Sequence, residues 1–154
     1  MVDLLVPLYR LPPSPSAQSD TVIRRAMPYE REEVEHFARS HFNGRWASEA
    51  GVSMSAHPMS CFIAIKNGAL VGFACYNSTF LGFCGPFGVE KSARGNKIGE
   101  ILLHSCLRAM KESGFAYAII GDVEEALGFY QKCVNATIIE NSKPGAYHYD
   151  LLPK

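Results

Sequence analysis

The sequence has little charge for its length, and the charges that it has cancel. Only 19% of its 154 residues are charged, with 15 basic and 15 acidic side chains. Nucleic-acid backbones bind cationic surfaces, so this balance argues against nucleic acid as the main partner. No apolar run approaches the ~18 residues of a membrane span. The opening MVDLLVPLYR has its basic residue after its apolar run, which excludes a secretory signal of the usual pattern.

Cysteine pairs at metal-binding or redox spacing are also absent. The five cysteines are odd in number and contain no C-x-x-C pair. Each lies within an apolar strand or helix pattern, which indicates reduced, buried side chains in a cytoplasmic protein. A zinc site needs clustered ligands, and only His57 and Cys61 lie close together in the sequence. We therefore predict no metal site.

What the chain does contain is enough apolar sequence for one packed domain. Hydrophobic residues make up 47% of the chain, and 154 residues suffice for a proper core. Residues 1–20 carry four of the nine prolines and are predicted to form an N-terminal arm or linker, in which DLLV can add an edge strand. Residues 21–154 are predicted to form the single domain.

Apolar periodicity predicts the element order β, α, (α), β, β, β, α, β, α, β, β. Asn67-Gly68 between two β-type runs predicts a hairpin. The continuous apolar run 115–121 predicts a parallel strand covered on both faces, and Asp122 with Glu125 predicts a capped helix start after it. The predicted strands cover residues 21–25, 61–66, 69–78, 80–89, 115–121, 137–140 and 147–151.

The most informative stretch is a polar loop followed by a helix that begins near Ile98. The loop, Arg94-Gly95-Asn96-Lys97, separates a β-type run from a helix whose apolar residues recur at helical spacing. Free N–H groups and the positive end of the helix dipole meet at such a start, beside two cationic side chains. This combination predicts an anion site, and phosphate is the anion that such sites most often hold.

Two motifs in this order resemble the GNAT superfamily of acyl-CoA-dependent N-acetyltransferases. The loop resembles the family's R/Q-x-x-G-x-G/A pattern, with Lys97 where the family usually has glycine. One strand and one helix later, EEALGFYQKCVNATII resembles the A-x-x-F/L-Y-x-K-x-G-F/A segment, with Val123 where asparagine is frequent. The residues that fit this second motif are Ala126, Phe129, Tyr130, Lys132 and Ala136.

The resemblance implies both a fold and a co-substrate. The implied fold is of the α/β (α+β) class, with a mixed, mostly antiparallel central sheet, about four flanking helices and a splayed strand pair. Acetyl-CoA is implied to lie in the splay, with the backbone of Phe87 and Val89 along its pantetheine arm. The implied ligands of its pyrophosphate are Arg94, Gly95, Asn96, Lys97, Ile98 and Gly99.

The resemblance also implies catalytic roles for two residues. The N–H of Val89 is the implied donor to the developing oxyanion, and Tyr130 matches the residue that stabilises the leaving thiolate. A phenol near pKa 10 is a weaker acid than a thiol near 8.5, so hydrogen bonding with late proton transfer suits Tyr130 better than strong-acid chemistry. The base stays open, and the candidates are Glu49, His57, Glu90 and Asp122.

The function implied is transfer of acetyl from acetyl-CoA to a primary amine of a small molecule. Acetylation of protein N-termini or lysines is a second enzymatic reading. A non-catalytic acyl-CoA-binding or regulatory module of the same fold is a third, because Lys97 and Val123 depart from the family pattern. We expect a monomer or homodimer without a membrane partner. Candidate acceptor-site residues are Trp46, Glu49, Phe83, Glu90, Asp122, Tyr147 and Tyr149.

Overall fold

Two antiparallel sheets, one of four strands and one of three, form the frame of the fold. The computed structural model describes residues 1–147 and 150–151. In chain order the elements are β1 (Val2–Pro7), β2 (Thr21–Arg25), α1 (Arg31–His41), α2 (Gly44–Ser53), β3 (Cys61–Lys66), β4 (Ala69–Tyr76), β5 (Cys84–Val89), α3 (Ile98–Glu112), β6 (Tyr117–Val123), α4 (Leu127–Val134) and β7 (Thr137–Ile138).

The larger sheet has the simple order β2-β3-β4-β5. The predicted hairpin between β3 and β4 is confirmed, with Asn67 and Gly68 both at positive φ (50° and 79°). Such angles suit the tight turn that matches the twist of the flanking strands. Strand β5 lies at one edge of this sheet, and its other side faces the smaller sheet.

The smaller sheet has the order β6-β1-β7, so the N-terminal strand lies at its centre. The expectation that DLLV adds an edge strand is therefore wrong in its position. Leu4 and Val6 are fully buried, and β1 pairs with a partner on each side. The segment predicted to be an arm thus begins with a packed strand, while the division into domains at residue 20 stays a prediction.

The two sheets meet where β5 and β6 start side by side and then diverge. A single parallel bridge joins Phe83 to Ile119, and the N–H of Ile119 donates to the Gly82 carbonyl at 2.8 Å. Beyond this point β6 pairs antiparallel with β1. The splayed strand pair is confirmed, but the expectation of a covered parallel strand at 115–121 is only partly right. Tyr117 in that run is 46% exposed, and its ring packs edge to face against the exposed Tyr9 instead of being covered on both sides.

Helix α3 holds the two sheets together. Its buried residues Leu102, Leu103, Leu107 and Met110 belong to the same core cluster as Leu4 and other residues of the smaller sheet. Helices α1 and α2 form a second cluster against β4, around the fully buried Phe73. Burying each such side chain contributes about 1.5–3 kcal/mol, so both clusters fix the helices relative to the strands.

The C-terminal third of the chain departs most from the sequence expectations. Asp122 lies within β6 at φ 60°, and α4 begins after Ala126, itself at φ 62°. The capping box predicted from Asp122 and Glu125 is therefore wrong, because the strand continues two residues further. The strand predicted at 137–140 shortens to β7, and Tyr147 lies in a turn.

The fold class expected from the sequence is confirmed, with mostly antiparallel strands and four α-helices. The single central sheet of the expectation is divided into two at the splay. His148 and Tyr149, in the predicted last strand, lie outside the described residues. None of the helices in ranges 1–147 and 150–151 has the length and apolarity that crossing a membrane requires.

Candidate active site

A cavity of about 640 Å³ opens where β5 and β6 diverge. Its walls come from β5, β6, α2, α4, the segment around residue 79, and the residues Tyr147 and Asp150. Seven of the residues that the sequence marked as candidates line it together, namely Trp46, Glu49, Phe83, Phe87, Asp122, Tyr130 and Tyr147. The divergence of two strands thus creates the space, and the candidates from distant parts of the sequence converge on it.

Tyr130 projects from α4 to this cavity and packs against the aromatic side chain of β5. Its ring meets Phe87 edge to face, with centroids 6.0 Å apart, and contacts Phe129 at 5.3 Å. Burial raises the pKa of the Tyr130 hydroxyl well above its ordinary value, with a smaller contribution from Cys84. Among the described residues the hydroxyl has no hydrogen-bond partner. A neutral phenol with a free O–H is a hydrogen-bond donor rather than an acid.

The outer edge of β5 presents backbone groups to the splay. The N–H of Glu90 donates to the Val71 carbonyl at 2.9 Å, and Gly88, two residues earlier, also faces β4 in the antiparallel ladder. The groups of Phe87 and Val89 alternate with these and therefore point away from β4. This edge offers donors and acceptors to an extended ligand, as an added strand would use them.

Arg94 takes up one of these groups. Its Nε donates to the Val89 carbonyl at 3.0 Å, which ties the start of the loop to the end of β5. The Val89 N–H remains the group that this residue can offer to a ligand. Val89 does not line the cavity, whereas Phe87 does. The two residues predicted to share the pantetheine arm therefore lie in series, one at the cavity and one beside the loop.

The Arg94 loop, residues Arg94–Gly99, ends in a cluster of free backbone donors. The six N–H groups from Gly95 to Glu100 have no acceptor among the described residues, and the first helical bond runs from Ile101 to the Lys97 carbonyl at 3.0 Å. Helix α3 has 15 residues and adds the positive end of its dipole. These donors match the backbone arrangement that an anion site requires, and the set fits a diphosphate, so phosphate binding by this loop stays a prediction.

Lys97 occupies the left-handed region at φ 59°, and Gly95 lies at φ 91°. A glycine at position 97, as the family usually has, would adopt this angle without strain. The loop keeps its shape with lysine there, and its side chain is exposed, as is that of Arg94. Asn96 ties the loop to its surroundings. Its side-chain amide donates to the Ala93 carbonyl at 3.5 Å, and its side-chain oxygen accepts from the Gln18 amide at 3.4 Å.

These features recur in known proteins. The sequence model of the acetyltransferase (GNAT) family matches residues 20–134. The chain belongs to the GNAT family. No curated protein matches it. A GCN5-related N-acetyltransferase from Sphaerobacter thermophilus superposes with a TM-score of 0.70 at 18% identity, over 90% of this chain and 48% of that one.

Two further solved structures share the GNAT fold. The glucosamine N-acetyltransferase region of a fungal multi-domain GH3 β-N-acetylglucosaminidase gives a TM-score of 0.69 at 15% identity, over 90% of this chain and 19% of that one. A GNAT acetyltransferase from Brucella melitensis, in complex with acetyl-CoA, gives 0.58 at 17% identity, over 79% and 88%. This chain thus spans about half or less of the length of the first two.

The wall of the GNAT cavity carries several carboxylates. The hydroxyl of Thr79 donates to Glu49, and Arg45 forms an ion pair with Asp150. Burial raises the pKa of the Asp122 carboxyl, and the nearby Glu124 raises it further. Carboxylates therefore outnumber cationic groups along this part of the wall, where Glu125 also lies.

Aromatic side chains complete the cavity wall. Trp46 stacks on Phe42 with centroids 4.7 Å apart, and the Asn43 side chain caps α2 by accepting from the Trp46 N–H at 2.9 Å. Tyr147 approaches Phe80 at 6.0 Å, and burial raises the pKa of its hydroxyl. The GNAT domain thus places the predicted aromatic candidates Trp46, Phe83 and Tyr147 at the cavity.

Two of the candidate bases lie away from the cavity. Glu90 follows β5 on the other side of the splay, 3.7 Å from His41 and within hydrogen-bond distance of the Ser92 hydroxyl at 2.9 Å. His57 lies exposed in the loop before β3. Of the four candidates, Glu49 and Asp122 are the two that line the same cavity as Tyr130.

Several residues of the cavity were not among the candidates predicted from the sequence. The signal available for Glu124 and Glu125 was their position directly after a strand predicted to border the splay. Arg45 and Thr79 gave no signal, since each resembles an ordinary surface residue until α2 and the segment before β5 fold together. The described residues include no group of three metal-ligating side chains.

Proposed function

We propose that this chain transfers an acetyl group from acetyl-CoA to a primary amine of a small molecule by direct attack on the thioester. The observation that carries the proposal is the alignment of the cavity, Tyr130 and Phe87 with the outer edge of β5 and the free N–H groups of the Arg94 loop. These parts form one continuous track from an anion site to a cavity.

The track fits the successive parts of acetyl-CoA. The N–H groups from Gly95 to Glu100 match its pyrophosphate, which carries the negative charge that the α3 dipole favours. The N–H of one of the residues Phe87 and Val89 suits a carbonyl oxygen of the pantetheine arm, which leaves the N–H of the other for the thioester. With the Val89 carbonyl held by Arg94, we expect fewer acceptors here than an entirely free strand edge offers. The thioester then lies at the cavity, beside Tyr130.

In the proposed reaction the amine nitrogen forms a bond to the thioester carbon, and the carbon–sulfur bond breaks. The products are the acetamide, the free thiol of CoA and one proton from the attacking ammonium. The negative charge on the carbonyl oxygen requires a backbone donor, for which Val89 is the candidate from the sequence and Phe87 is the nearer to the cavity.

Tyr130 acts in this scheme by hydrogen bonding to the departing sulfur. The raised pKa of its hydroxyl makes proton transfer to a thiolate more uphill than the ~2 kcal/mol expected from ordinary phenol and thiol values. A buried O–H without another partner still donates a strong bond to a developing thiolate. The thiolate then takes up a proton that the amine has released, or one from solvent.

The proton of the attacking amine goes to a cavity carboxylate in this proposal. An alkylammonium near pKa 10.4 is protonated at neutral pH and cannot attack until it loses a proton. Glu49 and Asp122 lie on the cavity wall, and burial raises the pKa of Asp122, which makes this carboxylate a stronger proton acceptor than an ordinary aspartate. The proton travels directly or through one water.

Two measurements on the purified protein test the proposal. Calorimetric titration with acetyl-CoA should give micromolar binding, and thiol release with a panel of primary amines should show turnover. Absence of acetyl-CoA binding by the wild-type chain would remove the proposal and leave only the fold. If thiol were released with lysine peptides but with no small amine, the proposed function would become protein acetylation.

Tyr130→Phe separates the enzyme from a non-catalytic acyl-CoA-binding module. We expect kcat to fall by roughly 10- to 100-fold with unchanged acetyl-CoA affinity, because the lost bond forms only as the thiolate develops. Tyr117→Phe is the matched control, since its hydroxyl bonds only the exposed Tyr9 hydroxyl at 3.2 Å, away from the cavity. Equal rates for the two variants would contradict a catalytic role for Tyr130.

A further inference from the structure

The ring of Phe42 lies between the helices beside the cavity and the strand assigned to acetyl-CoA. Phe42 follows α1, and its ring covers Gly88 of β5. A β-carbon added at Gly88 would overlap the Cζ atom of this ring and lie only 2.7 Å from Cε1. Because Gly88 does not adopt a positive φ, its missing side chain provides the space that the ring occupies and is not needed for a backbone angle.

The backbone around Phe42 is fixed by both helices. The N–H groups of Phe42 and Asn43 donate to the Ala38 carbonyl at 3.0 and 3.1 Å, which ends α1. The Asn43 side chain then caps α2 by accepting from the Trp46 N–H at 2.9 Å. The connection between the helices is thus only two residues long, and its hydrogen bonds leave the Phe42 backbone little freedom to move.

Aromatic neighbours enclose the Phe42 ring on its other sides. The ring stacks on Trp46 with centroids 4.7 Å apart and an interplanar angle of 29°. It also contacts Phe37 and Phe73, with centroids 6.4 and 6.1 Å away, and both of these rings are buried. Since close-packed interiors transmit displacements, the Phe42 ring cannot leave Gly88 without moving Trp46, which lines the cavity.

The strand beneath Phe42 is the one that carries the co-substrate in the proposed function. Gly88 stands between Phe87 and Val89, and it pairs with Phe73 of β4. The outer edge of β5 is therefore assigned to acetyl-CoA, while one of its faces supports the ring that backs Trp46. Such an arrangement fixes the distance between two reacting groups, and a displacement of about 1 Å can cost about 100-fold in rate.

We propose that Phe42 is a positioning residue for the acceptor amine. By occupying the space above Gly88 it holds Trp46 at the cavity wall, where the indole contacts the carbon skeleton beside the amine nitrogen. Phe42 itself lies outside the cavity lining. A ring on the amine extends the stack of Phe42 and Trp46, because aromatic rings favour offset stacking. This role rests on the proposed function, since it concerns the acceptor of that reaction.

The chain has one tryptophan, so its fluorescence reports the surroundings of Trp46 directly. The probes are 2-phenylethylamine, which carries a ring, and ethylamine, which has the same two-carbon chain without one. With CoA present, 2-phenylethylamine should change the emission of the wild-type protein in a saturable way, and ethylamine should act much more weakly. No saturable change with 2-phenylethylamine would overturn the role given to Trp46 and Phe42.

Phe42→Leu removes the ring and keeps an apolar side chain. In thiol-release assays with saturating acetyl-CoA, we expect KM for 2-phenylethylamine to rise about tenfold, and KM for ethylamine to change by less than about twofold. Acrylamide should quench Trp46 more strongly, because the indole loses the ring that covers one of its faces.

The matched control for this variant is Phe115→Leu. Phe115 is a partly buried phenylalanine that packs against the larger core cluster and does not line the cavity. Its replacement should lower stability, measured in urea, without changing either KM or the quenching of Trp46. Equal KM shifts in Phe42→Leu and Phe115→Leu would show that Phe42 has a purely structural role and would overturn the inference.

Gly88→Ala tests the same contact from the strand. In the wild-type background the added β-carbon should displace the Phe42 ring and raise KM for 2-phenylethylamine about tenfold. In the Phe42→Leu background, which lacks the ring atoms that it would meet, the same change should alter KM by less than about twofold. Gly128→Ala, whose β-carbon meets open space in α4, is the control. A tenfold rise in both backgrounds would overturn the inference.

The fluorescence titration needs no turnover, and it therefore separates this role from the proposed function. A saturable Trp46 signal that Phe42→Leu weakens would support the positioning role even if no amine released thiol, in which case acetyl transfer alone would fall. Turnover with the same KM for 2-phenylethylamine in the wild type and in Phe42→Leu would support acetyl transfer and overturn the role of Phe42.

Discussion

The two ends of the substrate track are built in opposite ways. The Arg94 loop is a contiguous segment, and the groups that it offers to a ligand are the backbone N–H donors from Gly95 to Glu100. The cavity is assembled from β5, β6, α2, α4 and two irregular segments, and its working groups are side chains. One end is local and cationic, and the other is non-local and acidic.

This difference explains which departures from the family pattern the chain tolerates. A backbone site needs a particular loop shape and accepts many side chains, as the exposed Lys97 at φ 59° illustrates. A side-chain site depends on each residue and on the packing that presents it. The comparison predicts large effects from changes in loop charge or shape, and small, condition-dependent effects from single changes at the cavity.

The largest expected effect is on co-substrate binding by the variant Arg94→Glu with Gly95→Asp. It reverses a charge beside the anion site, removes the Arg94–Val89 hydrogen bond and places a side chain at φ 91°. We expect acetyl-CoA affinity to fall about a hundredfold or more, equivalent to ~3 kcal/mol, in a calorimetric titration.

The control for this variant is Arg108→Glu, an exposed charge reversal on the same helix that is remote from its start. It should leave acetyl-CoA affinity within about twofold, because a helix dipole acts through its first turn. If the double variant bound acetyl-CoA as tightly as the control, the loop would not be the phosphate site, and the contrast between the two ends would fail.

A smaller effect, on stability, is expected for Lys97→Gly, because glycine adopts the left-handed conformation at this position without strain. A non-glycine residue there costs about 1–2 kcal/mol, and glycine costs about 0.5–1 kcal/mol through the unfolded chain. We expect a net gain of about 0.5 kcal/mol in the free energy of unfolding, measured in urea. Lys111→Gly, in the right-handed last turn of α3, should lose a similar amount. Equal losses for both would show that Lys97 is not strained.

The smallest effect concerns the unpaired charge at the cavity, tested by Asp122→Asn. Because the folded-state pKa of this carboxyl is raised, ionising it costs more in the folded protein than in the unfolded chain. The variant should therefore melt at a slightly higher temperature at pH 7. The gain should shrink as pH falls through the raised folded-state pKa and vanish below the ordinary carboxyl pKa of about 3.9, where the group is mostly protonated in both states.

Melting curves at several pH values check this prediction. Asn tolerates the positive φ of Asp122 (60°), so a part of the gain that does not depend on pH would come from the backbone. Glu112→Gln, at the exposed end of α3 and away from the cavity, serves as the control. A variant that becomes less stable at pH 7 would mean that the Asp122 carboxylate has a stabilising partner, which would contradict its raised pKa.

Most of the element order was predictable from the sequence because apolar periodicity and turn residues act locally. The Asn67-Gly68 hairpin and the α3 start are cases where a few adjacent residues dictate the backbone. The prediction was wrong where pairing with strands distant in the sequence decides the local structure. DLLV takes a central position because β6 and β7 flank it, and Asp122 stays in β6 because β1 extends the ladder as far as Val123.

The candidate site divides in the same way. The Arg94 loop and Tyr130 could be placed from motifs, since each motif constrains its own backbone. Glu90 and His57 were equally plausible bases in the sequence, and only the packing of the strands separates them from the cavity. Arg45, Thr79 and Asp150 become part of the site through contacts across more than 20 positions of sequence.

The sequence by itself determined the GNAT family, the elements of the fold and the anion loop, because these depend on neighbouring residues and on backbone geometry. The resemblance already implied the splayed strand pair, and tertiary structure alone decided which side chains line the cavity there and that carboxylates outnumber cationic groups among them. The physical reason is that electrostatic fields and excluded volume depend on distances in space. Carboxylates that are scattered through a chain of zero net charge acquire a common effect only when folding brings them together.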